Sequence, residues 1–437
     1  MRKLMFVIFF ILAATSLLYT GAQSEEPGTI TISRSEFEEL KSKVLMLEDE
    51  LSRMKSGESA TRQSQTTDDI VVNGQNNLDT SVALESTSTQ QSAGGKQLSL
   101  PDISLIVQAK GYLSSDKRDE RRNHLRISEA ELAIQGYVYP NVKADAYFST
   151  SPEEGVAMQV EEAYLTYLGA VKSLNAYVGE KHVPFGRTNL MHPHSLLYAR
   201  QPLALRNLVA EESLIGEGLQ ASYLLPTPGS LFAQVDLGVW TKSGHSHEHE
   251  EDEETESVFP EIVSGDGVGF IDRFNTARLW LGAPIEANGE IEAGASYAKG
   301  SSHGFTLGVP SDATLTGFDI SYRHFWEGNR RLLLRGELIR RKEKAGFAQS
   351  EANGYYLFGN YRPSKYTNIG LLYDWSSFPQ STDLHESALS LILTKQLSEQ
   401  YYIRLQATHG SRPGDDSYNE LLLQWVWGIG PHTHNFE

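Results

Sequence analysis

The chain contains no cysteine, so neither disulfides nor thiolate metal sites hold its fold or carry its chemistry. It also lacks a basic excess. Its 38 Lys and Arg face 56 Asp and Glu, a formal charge of −18, and this argues against a nucleic-acid binder, which needs surplus cations to neutralise phosphates. Seven of the acidic residues sit in one short run, Glu248 to Glu256, so part of the net charge says nothing about the interior. Past the N-terminus no segment offers about 18 consecutive apolar residues, which excludes a transmembrane helix in the mature chain. Passage through a bilayer then requires strands, because only helices and closed barrels satisfy every backbone group in lipid. Catalytic signatures are missing too: the sequence has no nucleophile elbow, no phosphate-binding glycine loop and no HExxH helix. It nominates no enzyme activity and no cofactor.

What is present begins with Arg2 and Lys3, the apolar run Leu4 to Ala14, and Thr20-Gly21-Ala22. A basic start, a short apolar core and small exit residues predict a secretory signal peptide over 1–22. Next, Phe37, Leu40, Val44, Leu47, Leu51 and Met54 repeat as heptad a and d positions, with a capping box at Ser35 and Glu38. The g residues Glu36, Lys43 and Glu50 oppose e residues Lys41, Glu48 and Lys55 in sign, as a parallel oligomer needs. Residues 23–56 therefore read as a coiled-coil oligomerisation segment in the periplasm, dimeric or trimeric, with an amphipathic helix lying on its own barrel as the alternative. Residues 57–100, rich in Ser, Thr, Gln, Gly and Asn, read as a flexible linker.

From residue 101 to the end the pattern changes to period two. In the stretch Leu125 to Ser149, Ala130, Leu132, Ile134 and Val138 alternate with Glu129, Glu131, Gln135 and Tyr137; after Tyr139-Pro140-Asn141 the alternation resumes, which predicts a hairpin. Sixteen such strands follow one another, among them 314–326, 330–341, 353–362 and 400–409. Connections after even strands are short, whereas those after odd strands read as longer and polar, such as Pro184–Ile215 and Lys242–Val268. Even strand number with alternating short turns and long loops predicts an all-β fold, a 16-stranded antiparallel transmembrane β-barrel. The pleat puts Leu332, Leu334 and Leu338 toward lipid, and Arg331, Arg335, Glu337 and Arg341 toward a wet lumen. Trp425, Trp427, Tyr361 and Tyr167, near strand ends, suit aromatic girdles.

Three features carry functional expectations. Pro184–Ile215 holds apolar residues (Leu196, Leu203, Leu205, Leu208) that a free surface loop does not need, and loops this long are commonly functional. It reads as a constriction loop that brings Arg187, Arg200 and Arg206 into the lumen, or alternatively as a helical loop packed at a subunit interface. Lumen-facing Arg278, Arg323, Arg331, Arg335 and Arg404 read as a pore-lining set together with Glu337. Arginine rings select anions, but Glu129, Glu131, Glu162 and Glu337 face the same lumen, so a paired structural network is the competing reading. His245, His247 and His249, followed by Glu250 to Glu254, offer a divalent-metal capture loop, with a solvated acidic loop as the plainer alternative. His192-Pro193-His194 and His432-Thr433-His434 add histidines at unknown distance.

The segments Arg126…Gly136-Tyr137-Val138-Tyr139-Pro140, Glu162-Ala163-Tyr164 and Tyr177-Val178-Gly179-Glu180-Lys181-His182-Val183-Pro184-Phe185-Gly186 resemble those of the phosphate-selective porin O/P family and its siderophore-porin relatives. That resemblance covers about residue 103 to the end. It implies a sixteen-stranded, usually trimeric diffusion channel, in some members preceded by a coiled coil. The lysine ladder of phosphate-selective members is not visible here, and the closing aromatic, Phe436, is penultimate. The expectation is therefore a homotrimeric outer-membrane porin, surrounded by outer-membrane lipid, passing small solutes through a loop-narrowed lumen. Its rivals are a metal or metal-chelate uptake channel and an envelope tether.

Overall fold

The computed structural model describes residues 100–116, 122–151, 158–210, 213–243, 268–302, 310–398, 400–413 and 416–431. The signal peptide, the coiled coil, nearly all of the linker, His245, His247, His249, His432, His434 and Phe436 lie outside the described residues. Among the described residues no helix is long and apolar enough to cross a membrane.

Sixteen strands are described, all antiparallel and closed into one barrel in which β1 pairs with β16. In chain order they are β1 (Asp102–Ser114), β2 (Leu125–Tyr139), β3 (Val142–Thr150), β4 (Gln159–Val171), β5 (Leu174–His182), β6 (Ile215–Leu224), β7 (Phe232–Ser243) and β8 (Phe270–Ile285). The second half comprises β9 (Gly289–Ser302), β10 (Ser311–Trp326), β11 (Arg330–Ala345), β12 (Ala348–Ser364), β13 (Thr367–Ser377), β14 (His385–Ser398), β15 (Tyr401–Arg412) and β16 (Asp416–Ile429). Every strand pairs with its sequence neighbours, so closure leaves no edge, the requirement for a strand-built membrane span.

The period-two pattern sets the two faces. On β11, Arg335, Glu337, Arg341 and Glu343 are buried while Leu334 and Leu338 are exposed; on β10, Asp319, Ser321 and Arg323 are buried while Phe318 and Ile320 are exposed. The outward row continues through Leu219, Leu237, Leu279, Leu357, Leu371, Leu389 and Leu423, an exposed apolar belt suited to lipid rather than water. At one end of the belt Tyr401, Trp425 and Trp427 cluster, and Trp326 packs edge-on to Tyr361.

Two expectations change. The connection after β11 was expected to be long, spanning 342–352, and is a two-residue turn: both strands run on past the belt to Ala345 and from Ala348, and Gly346 takes φ +60° at the turn's first position. Arg340 and Lys342 pair with Glu351 across this protruding hairpin, so these charges are solvated rungs of a ladder. The lumen, expected to be wet throughout, is apolar over one sector. Inward Leu315, Leu333, Phe358, Leu372 and Ile392 form one buried cluster with Leu205, Leu208, Leu214, Trp240, Phe270 and Phe274. Inward apolar positions are tolerated there because the segment between β5 and β6 covers them.

Candidate functional site

The segment of residues 183–214 leaves β5 and returns to β6 through a neck closed by one side chain. Asn189 donates from Nδ2 to the carbonyls of Val183 (2.9 Å) and Leu214 (3.0 Å), and its Oδ1 accepts from Leu214 N–H (2.6 Å). Val183 N–H donates to the Leu214 carbonyl beside it (2.9 Å). Beyond the neck the chain turns inward at Gly186, where φ is +62°. Gly186 N–H donates to Ser296 Oγ on β9 at 3.0 Å, and Arg187 and Thr188 N–H both donate to Glu337 Oε1 on β11, at 3.2 and 2.7 Å. Tyr356 on β12 donates its hydroxyl to the same oxygen at 2.8 Å.

The far leg continues along the same wall, over β11 to β15. Ala199 N–H donates to Gln406 Oε1 on β15 (2.8 Å), and Leu203 N–H donates to Asp374 Oδ2 on β13 (3.2 Å). A short helix α1 (Leu203–Leu208) packs Leu203, Leu205 and Leu208 onto β11, β12 and β13, which absorbs the apolar residues that had no reason to sit on a surface loop. The subunit-interface reading of this helix is replaced by contact with the chain's own inner wall. His192 of the same segment reaches Glu162 on β4 at 2.9 Å, and since β4 and β12 stand half a circuit apart in the closed order, the segment crosses the lumen.

The expected arginines divide by partner. Arg278 on β8 makes a two-pronged pair with Asp319, Nη1 to Oδ2 at 2.6 Å and Nη2 to Oδ1 at 3.0 Å, and also donates to Ser296 Oγ. Arg323 faces Glu290 (3.1 Å) and Glu292 (3.2 Å). Arg187 sits 3.2 Å from Glu292 with its guanidinium 5.0 Å from the Trp280 ring centre. Arg200 lies 3.7 Å from Glu420, and Arg206 pairs with Glu386 at 2.6 Å. Arg335 donates to Ser321 Oγ and reaches Met191 Sδ; Arg404 donates to Thr394 Oγ1, Gln424 Oε1 and the Tyr198 carbonyl; Arg331 is half-buried near the start of β11. Arg341, not singled out as pore-lining, is fully buried between Glu343 (2.5 Å) and the Leu208 carbonyl (3.1 Å), and ties α1 to β11.

On the other side of the lumen His192 and His194 meet β2, β4 and β5. His192 Nδ1 lies 2.9 Å from Glu131 Oε2 and 3.3 Å from Glu161 Oε1, and its Nε2 lies 2.9 Å from Glu162 Oε2. Burial pushes the imidazole pKa down, but Glu131 and Glu161 more than reverse this, and His192 is held well above its ordinary value. For Arg187, burial outweighs Glu292 and lowers the guanidinium to about 10; Tyr198, buried in the segment's middle, is raised to about 12. The histidine–glutamate cluster is not legible in the sequence, because its hydrogen-bonded His–Glu pairs are 20 to 61 positions apart and only the tertiary fold brings them together.

This closed, sixteen-stranded barrel with an outward apolar belt and an inward-folded segment has the fold of outer-membrane porins. It resembles the anion-selective porin from Comamonas acidovorans with a TM-score of 0.51 at 12% identity, over 75% of this chain and 99% of that one. A loop L8 deletion mutant of OmpT, an outer membrane protein of Vibrio cholerae, matches with a TM-score of 0.50 at 13% identity over 75% and 99%. Salmonella typhi OmpF, in a complex with daunomycin, matches with a TM-score of 0.50 at 7% identity over 75% and 97%. In sequence, an uncharacterized protein of Aquifex aeolicus (strain VF5) is 24% identical over 385 residues, 76% of this chain and 79% of that protein. No protein-family model matches the chain.

Proposed function

We propose that the protein is an outer-membrane porin through which small polar or charged solutes diffuse passively, with residues 183–214 narrowing the lumen. The observation that carries this reading is the segment's course across the inside of a closed barrel, anchored to Ser296 and Glu337 at one end and to Gln406, Asp374 and Glu386 at the other. A segment held by hydrogen bonds and a shared apolar cluster is a fixed obstruction, so the free cross-section is what remains beside it. Most of the arginines that would line this passage already have carboxylate partners, which favours a weak ion preference over strong anion selection. The lipid-facing belt and the porin-like barrel support an outer-membrane location. The coiled-coil pattern supports a parallel oligomer, and the O/P-porin resemblance favours a homotrimer.

Planar-bilayer recording tests this. The expected result is a steady open conductance with a small reversal potential in a salt gradient, and a larger conductance when residues 187–210 are replaced by a short Gly/Ser linker. Absence of any conductance from folded, inserted protein overturns the channel reading and leaves the envelope tether. The metal-uptake reading would require current blocked by micromolar zinc and restored by replacing His245, His247 and His249 with Ala.

A further inference from the structure

Residues from four separate parts of the chain converge where the inward segment meets the wall formed by β2, β4 and β5. One ligand-capable atom from each of Glu161, His182 and His192 lies within 4.8 Å of the others, and Glu129, Glu131 and His194 form a second such group alongside. The two are joined through Glu131 Oε2, which is 2.9 Å from His192 Nδ1 and 3.6 Å from His194 Nδ1. This convergence depends on an irregularity in the sheet. A regular strand sends successive side chains to opposite faces, yet both Glu161 and Glu162 reach His192. The β3–β4 register slips by one between Tyr147 and Phe148, so that Tyr147 faces Glu162 while Phe148 faces Val160, and Glu161 is the extra residue of the bulge. Bulges re-aim side chains in this way and are common beside functional sites.

A cluster of this composition is costly as it stands. Glu129, Glu131, Glu161 and Glu162 gather around three imidazoles, and the neighbouring cation, Lys181, lies over the rings of Tyr164 (5.0 Å) and Tyr177 (4.2 Å). His182 is 3% exposed and neither of its ring nitrogens has a hydrogen-bond partner; its Nε2 faces Glu161 Oε1 from 4.0 Å, too far for a hydrogen bond. The second carboxylate oxygen of Glu161 is likewise buried without a hydrogen bond. Buried polar atoms normally find partners, so an imidazole with two bare nitrogens aimed among carboxylates points to a ligand.

We propose that His182 Nε2, His192 Nδ1, Glu161 and Glu131 bind a divalent transition cation of the zinc type, which clasps the inward segment to the barrel wall. Two nitrogen and two carboxylate donors suit zinc in tetrahedral geometry, where bonds of about 2.0–2.2 Å place donors roughly 3.3 Å apart. The triad, with His182 Nε2 4.0 Å from Glu161 Oε1, is slightly open relative to that spacing. The surroundings already match what such a site requires around its ligands. With Nδ1 turned to the metal, His192 offers Nε2–H to Glu162 Oε2 at 2.9 Å, a carboxylate–histidine–metal arrangement that orients the ring. The other oxygen of Glu162 accepts the backbone N–H of His182 at 2.6 Å, so one carboxylate positions both histidines. This site is distinct from the His245, His247 and His249 loop and does not depend on the channel reading.

The test uses the full-length folded protein extracted from outer membranes, carrying His245→Ala, His247→Ala and His249→Ala so that the external loop contributes nothing. The protein is loaded with zinc, dialysed exhaustively against metal-free buffer and assayed for metal per chain, with parallel cobalt(II) loading followed by visible absorbance. Heat-modifiable gel mobility reports barrel folding for every variant. About one equivalent is expected to be retained, with the intense visible bands of tetrahedral cobalt, as for a buried four-ligand site. Glu161→Gln, nearly isosteric, and His182→Ala are each expected to lower retention at least about tenfold, and Glu162→Gln to weaken affinity roughly 10- to 100-fold while the cobalt bands persist, since it only positions the ligands. If His182→Ala fails to fold, Glu161→Gln carries the test. No retained metal in the parent, or retention unchanged in Glu161→Gln, overturns the proposal and leaves a cluster held by protons alone.

Discussion

Arg278 and Asp319 show what single inward positions are worth. Their side chains are 1% and 5% exposed and bonded by both guanidinium prongs, so removing one partner strands a buried charge. Arg278→Ala is expected to destabilise the barrel by about 3–5 kcal/mol, read as a lower urea midpoint for loss of heat-modifiable mobility. The double change Arg278→Ala with Asp319→Ala should recover much of that loss, because neither charge is left behind. A second prediction concerns Gly186. Its backbone is in the left-handed region, and a Cβ there would overlap Glu337 Oε2, the carboxylate that holds Arg187, Thr188 and Tyr356. Gly186→Ala should cost about 1–3 kcal/mol through backbone strain and broken carboxylate bonds, and the measurable result is a noisier, larger single-channel current. That Arg278 and Glu337 point inward was readable from the pleat. That they are already paired was not, because the partners lie on other strands at separations set by the register.

Among the elements, α1 and the β11–β12 hairpin teach opposite lessons. The apolar residues at 203, 205 and 208 were visible as an anomaly in a loop, and burying them explains the anomaly. Leu205→Ala and Leu208→Ala are each expected to cost about 2–5 kcal/mol of local docking energy, since both side chains are almost fully buried against β11–β13. The check is proteolysis: the segment near α1 should become cleavable while the barrel fragments stay intact. The hairpin misled because Lys342, Lys344 and Glu351 fall in a charged stretch between the expected strands 330–341 and 353–362, whereas strands that extend past the membrane carry charge on both faces. Outward positions within the belt have no such freedom: Leu334→Arg should cost roughly 2–4 kcal/mol if that side chain sits at the bilayer midplane, seen as lower yield of folded barrel in lipid vesicles.

At the scale of the whole molecule, the closed sheet turns one chain into two solvents' worth of surface, an apolar exterior and an interior crossed by a segment tied to both sides. The proposed homotrimer predicts three chains per particle in sedimentation of the detergent-extracted protein, and deletion of residues 23–56 should weaken that assembly without abolishing conductance, because the coil and the passage are separate parts of the chain. The strand number, the face each residue occupies and the existence of an unusual inward-capable segment are local properties, written in a period of two and in the composition between the strands. Which residues meet is a different kind of information. The register of sixteen strands, one slipped residue at Glu161 and the path of residues 183–214 bring His182, His192, Glu131 and Glu162 within bonding distance, and pair Arg187, Arg206, Arg278 and Arg323 with carboxylates. Alternation along a strand is set by backbone geometry alone, whereas contacts across a closed barrel depend on every register at once, so only the folded chain decided them.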